Sequence, residues 1–187
     1  MNQRALPMEN ARFVTLVAMI LTAAVTRLLP HPPNVTPIAA MALFGGGHFA
    51  SPLAALAVPL SAMFLSDLLL GFGLHPVMPF VYGSFAFTVW LGRWLRARRL
   101  PLAIAAAAVC GSIVFFVVTN LGVWLVGDLY PRTLDGLVTC YIAAIPFFRN
   151  TLAGDACYTV ALFGGFALAQ RYVAALHERR SPVLESG

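Results

Sequence analysis

Seven side chains bring charge or amide chemistry into otherwise apolar sequence: Arg27, Asn34, Asp67, Asn120, Arg149, Asn150 and Asp155. Two guanidiniums, two carboxylates and three amides in one small chain can hold a polar organic molecule or hold one another in ion pairs. Two carboxylates alone can also share a proton, as the dyad of an acid protease does. Their flanks, Ser66-Asp67-Leu68 and Gly154-Asp155-Ala156, lack a Gly-rich motif, and two arginines stand ready to neutralise them. No HExxH, GxSxG or acidic metal-binding helix motif occurs, so the chain reads as a non-enzyme. Tyr82, Trp124 and Tyr141 share the same stretches and would give aromatic contact to a ligand. His31, His75, Cys140 and Cys157 are the only imidazole or soft donors placed to ligate a metal such as cobalt. Cys110, Cys140 and Cys157 have no CxxC spacing and are odd in number, which predicts free thiols rather than a disulfide framework.

The elements that must position these groups follow from composition. The chain has 187 residues, 60% of them hydrophobic and 10% charged, with a mean hydropathy of +0.83. Soluble domains carry about 25% charged residues, so a water-soluble globule is excluded, and with it soluble enzymes and nucleic-acid-binding modules. The net charge of +5 comes from twelve arginines and no lysine, grouped between apolar runs as in loops flanking membrane helices. The expected fold is all-α, a single polytopic transmembrane domain over residues 1–187.

A crossing needs about 20 apolar residues. Phe13–Leu29 is the first, ended by Pro30, Pro32 and Pro33; no small-x-small cleavage site precedes that break, so it reads as a span and not a signal peptide. From Pro37 the chain carries no charge until Asp67, a run far too long for one crossing, and Gly45-Gly46-Gly47 to Pro52 divides it. This predicts a short helix over Pro37–Phe49 and a third over Leu53–Phe72. Pro76–Trp94 and Leu102–Val126 follow. The remainder is interrupted at Pro146-Phe147-Phe148-Arg149-Asn150, predicting an outer loop over 127–150 with a short helix Leu134–Ile145, then a sixth span Thr151–Tyr172.

With the N-terminus inside, the inner side holds Arg4, Arg12, Arg93, Arg96, Arg98, Arg99, Arg171, Arg179 and Arg180, and the outer side Arg27, Arg132 and Arg149. That bias predicts cytoplasmic tails over 1–12 and 173–187 and a multi-pass protein in the bacterial cytoplasmic (inner) membrane. It also places all seven polar residues in the outer half, while the inner halves of the helices are almost purely apolar. Buried charge is costly unless paired, so at least one of Asp67 and Asp155 should meet an arginine or an amide donor. Asp128 belongs to the solvated loop.

Several stretches carry a resemblance. Arg27-Leu-Leu-Pro-His-Pro-Pro-Asn34-Val-Thr-Pro, Met63-Phe-Leu-Ser-Asp67-Leu-Leu-Leu-Gly71, Met78-Pro-Phe-Val-Tyr82-Gly83, Thr119-Asn120-Leu-Gly-Val-Trp124 and Ile145-Pro-Phe-Phe-Arg-Asn150 look like a small bacterial family of six-helix membrane proteins. That family resembles the substrate-binding S components of energy-coupling-factor (ECF) vitamin transporters, within them the solitary cobalamin transporters of the BtuM type. The resemblance implies an S-component fold and vitamin uptake, with a pocket on the outer side formed by loops 1, 3 and 5. Cobalamin would then be a substrate, with no resident cofactor. It also implies an ECF energising module as partner, although helix 1 carries Ala18-xxx-Thr22-xxx-Thr26 where such proteins carry Ala-xxx-Ala. BtuM-type relatives ligate cobalt through a cysteine near the start of helix 4, and Leu74–Tyr82 contains none.

The expectation is therefore a protein of the lipid bilayer that binds a small organic nutrient through Arg27, Asn34, Asp67, Tyr82, Asn120, Trp124, Tyr141, Arg149, Asn150 and Asp155, with no nucleic-acid partner. The rival is a helical scaffold or assembly subunit whose polar residues form a structural network.

Overall fold

The described residues form an all-helical bundle. The computed structural model describes residues 8–97 and 100–177; Arg4, Arg98, Arg99, Arg179 and Arg180 lie outside the described residues. Among the described residues every regular element is helical. Helix α1 (Met8–Val25) ends in a 3-10 turn, Thr26–Leu28, followed by α2 (Ile38–His48), α3 (Pro52–Leu69), α4 (Met78–Leu95) and α5 (Pro101–Val126). Helix α6 (Leu134–Thr159) continues through a π-helical stretch, Val160–Gly164, into α7 (Gly165–Tyr172) and a closing 3-10 turn, Ala174–Leu176. Four stretches are long and apolar enough to cross a membrane: Asn10–Leu28, Pro52–Leu69, Pro101–Val126 and Leu134–Tyr172.

The segment around Pro146 departs from expectation. No loop separates a short helix from a sixth span; Leu134–Thr159 is one α-helix with Pro146 inside it. Proline removes one amide donor and crowds the preceding turn, but packing can outweigh that cost. Here Thr133 caps the start, its Oγ1 accepting from the Gly136 amide at 3.2 Å. The helix is then held along α5 on both sides of the proline. The Tyr141 hydroxyl donates to the Val117 carbonyl (2.7 Å), the Cys140 thiol to that of Asn120 (3.5 Å), and Phe116 lies between the Tyr141 and Phe148 rings at 5.6 and 4.7 Å.

Helix α2 is the hub. All eleven of its residues are buried, as expected of a helix that is apolar on every face. At about 16 Å it is shorter than the hydrocarbon core of a bilayer is thick, and it fills the centre of the bundle. Its Gly-Gly-Gly sequence is what lets α4 approach: a Cβ on Gly46 would meet the Val89 carbonyl oxygen and lie 2.9 Å from the Gly92 Cα. Backbone meets backbone there.

A buried helix end leaves carbonyls that need donors. At the end of α2 arginines provide them: Arg12 Nη2 donates to the His48 carbonyl (3.0 Å), and Arg96 Nη1 to those of Phe49 and Ala50 (2.9 Å each). Their positive charge also suits the negative end of the helix dipole. Two of the arginines whose grouping signalled topology therefore also close the central helix.

Candidate functional site

At the opposite end of the bundle, the first connection and the α3–α4 connection border a cavity of about 510 Å³. Arg27 anchors its floor. The 3-10 turn at the end of α1 swings this side chain inward, where it is 6% exposed. Its Nη2 meets Asp67 Oδ1 at 2.7 Å, and its Nη1 donates to the Met63 carbonyl (3.3 Å) and to Ser66 Oγ. The Tyr82 hydroxyl, from α4, donates to the other oxygen of Asp67 at 3.0 Å. Three helices are thus tied through one carboxylate; both Asp67 oxygens and both terminal nitrogens of Arg27 are hydrogen-bonded, while Arg27 Nε is buried with no partner among the described residues.

Asp155 forms a second wall of the same cavity. Among the described residues no arginine pairs with it. Its Oδ2 lies 2.5 Å from Ser112 Oγ of α5. The expectation of an ion pair therefore holds for Asp67, while Asp155 is held by a hydroxyl.

The first connection lies over the cavity and is fastened to α6. Asn150 Nδ2 donates to the Pro33 carbonyl at 2.9 Å. One turn further on, Gly154 lets the loop touch the helix: a Cβ there would lie 3.0 Å from the Val35 Cα. Asn34 supplies the tight turn, with φ of +64°, a left-handed conformation that asparagine adopts more readily than most residues. The Thr26 and Tyr158 hydroxyls, 2.9 Å apart, join α1 to α6 below.

The expected site residues sort by this geometry. Arg27, Asn34, Asp67 and Asp155 line the cavity together. Tyr82 and Asn150 stand behind it, bracing Asp67 and the loop. Asn120 turns back on its own helix, donating to the Phe116 carbonyl at 2.7 Å; Trp124 donates to the Pro131 carbonyl at 3.0 Å; Tyr141 donates to Val117 as described. None of these three borders the cavity, and neither does Arg149, which is exposed on α6. The cause is the unbroken α6: without a break at Pro146, residues 141–149 run up the outside of α5 instead of folding over the pocket. Of the metal-donor candidates, His31 and His75 border the cavity, whereas Cys140 and Cys157 lie away from it. Among the described residues no group of three His, Cys, Asp or Glu could hold a metal ion.

Sequence reasoning passed over Ser66, Ser112, Thr151 and the aromatic walls Phe85 and Phe115. Phe85 and Phe115 stack at 5.1 Å. The hydroxyls gave weak signals because Ser and Thr in helices usually satisfy themselves on the preceding turn, as Ser66 and Ser112 also do.

Helices fit to cross a membrane, with a largely apolar cavity carrying a few charged and polar groups at one end, define an all-helical membrane protein with a small-molecule-sized chamber. Residues 8–176 match the profile of DUF6580, a family of unknown function, and the chain belongs to that family. No curated protein and no solved structure matches it.

Proposed function

We infer that this is a six-span uptake protein of the bacterial cytoplasmic membrane that binds a small organic nutrient in the cavity framed by Arg27, Asp67 and Asp155. The observation that carries this reading is the cavity's make-up. Its 510 Å³ lies within the usual range of about 300–1,000 Å³ for small-molecule sites. Stacked phenylalanines offer a face to a ring, while Asn34, His31 and His75 offer hydrogen bonds at the mouth. That chemistry suits a compact ring-bearing vitamin better than a whole corrinoid, so cobalamin is the less favoured cargo. The resemblance to S components supports the same function, and the arginine bias supports the N-in, C-in orientation. The missing Ala-xxx-Ala face on helix 1 favours a protein that works without an ECF energising module.

The test is thermal denaturation in detergent against a panel of water-soluble vitamins that includes cyanocobalamin. A ligand at 100 times its Kd stabilises the folded state by about 2.7 kcal/mol, and one compound should raise the melting temperature accordingly. No response to any member, with melting collapsing in Asp67→Ala, supports the scaffold instead. Reporter fusions after Arg99 and Gly187 should both read cytoplasmic; an external signal from either refutes six spans.

A further inference from the structure

A second cavity, of about 550 Å³, opens between α5 and α6–α7. It begins at Pro101 and Gln170, at the end of the bundle where α5 starts, and climbs along Ala108 and Phe163 to Ser112 and Asp155. One residue belongs to the walls of both chambers: Asp155. Three consecutive turns of α6 thus carry Thr151 in the first cavity, Asp155 at the division and Thr159 in the second. The division lies near the middle of the 26-residue α5, hence near the middle of a bilayer.

We propose that the two cavities are halves of one passage, and that the hydrogen bond between Asp155 and Ser112 is the closure between them. The partition is thin and polar: Asp155 is 4% and Ser112 0% exposed, and their oxygens are 2.5 Å apart. Beyond it the second cavity holds a polar group that the fold itself does not use. Thr159 Oγ1 is buried and has no hydrogen-bond partner among the described residues. An unpartnered buried hydroxyl is costly, and a passing polar molecule or water would satisfy it. The wall that carries it is built to deform. The π-helical stretch Val160–Gly164 follows directly, and such locally widened, under-wound turns are frequent at functional sites. Gly164 within it has nothing within 4 Å of a would-be Cβ, leaving room to move.

The proposal rests on the first cavity being the ligand site, and its test needs no ligand, so the two can fail separately. The full chain with Cys110, Cys140 and Cys157 replaced by alanine is placed in sealed vesicles, and a single Thr151→Cys or Thr159→Cys is labelled with a charged, membrane-impermeant methanethiosulfonate. Thr151→Cys should react from one face only and Thr159→Cys from the opposite face only. Adding Ser112→Ala should raise the rate at Thr159→Cys from the first face at least tenfold. Asp155→Ala should do the same, so a folding failure of one opening variant leaves the other. Asp155→Asn, which can still bond Ser112, should keep the low rate. A Thr159→Cys that reacts from neither face in any background would show a cleft filled by lipid and would overturn the proposal. Equal rates in Asp155→Asn and Ser112→Ala would overturn the role of the hydrogen bond.

Discussion

Breaking the ion pair between Arg27 and Asp67 should be the most damaging change of a single charge in the protein. The two side chains are 7% and 9% exposed and meet at 2.7 Å. Losing one partner leaves a buried charge uncompensated, at a cost of about 3–5 kcal/mol. At about 2–4 °C per kcal/mol for a chain of this size, Asp67→Asn and Arg27→Gln should each lower the melting temperature by about 6–20 °C. The double variant removes both charges and should melt no lower than the worse single, a coupling of several kcal/mol in a double-mutant cycle. Asp128→Asn is the control, because Asp128 is exposed between α5 and α6; surface changes stay within about 0.5 kcal/mol, or about 2 °C. The assay is intrinsic-fluorescence melting of detergent-purified protein. Single variants that melt within 2 °C of wild type, or a double variant showing the simple sum of both losses, would refute the claim that this pair is a desolvated and mutually dependent unit.

Other outcomes follow from the same geometry. Gly46→Ala and Gly92→Ala put a methyl group against opposing backbone and should abolish the monodisperse peak in fluorescence-detected size exclusion, whereas Gly83→Ala, with nothing within 4 Å, should not. Asn150→Ala removes the tie to the Pro33 carbonyl; a lost hydrogen bond of about 0.5–1.5 kcal/mol should weaken ligand binding about two- to tenfold in a titration. In detergent, a small thiol reagent should modify Cys110 and Cys157, which are exposed, well before the buried Cys140, as read by mass spectrometry of peptides.

Much of this architecture was legible because membrane insertion punishes polarity so strongly. The short second helix, the break between it and α3, and the gathering of Arg27, Asn34, Asp67 and Asp155 around one cavity all follow from where charge is tolerated in an apolar chain. That at least one of Asp67 and Asp155 meets an arginine or an amide donor could be anticipated from shared depth; that the pair is Arg27 with Asp67 could not. What misled was proline: Pro146 reads locally as a break, but contacts to α5 at Tyr141, Cys140 and Phe148 carry the helix through it. That one misreading displaced Tyr141 and Arg149 from the site. Depth also says nothing about azimuth, so Asn120 and Trp124, at the right level of α5, serve their own helix and the following loop. The partner of Asp155 was hidden because a serine in a helix usually looks self-satisfied. The doubled role of Arg12 and Arg96 was hidden for a related reason, since basic residues near membrane ends are explained by topology before any packing is considered.

The central claim is that the Arg27–Asp67 cavity holds a small nutrient. Affinity-selection mass spectrometry tests it most directly: purified protein is equilibrated with an equimolar mixture of water-soluble vitamins, and the compounds retained after rapid desalting are identified. Thr36 borders the cavity without being fully buried, so Thr36→Phe should fill the space and leave the melting temperature close to that of wild type. One vitamin should be retained by the wild type and lost in Thr36→Phe. Retention of none, or equal retention by both proteins, would contradict the central claim.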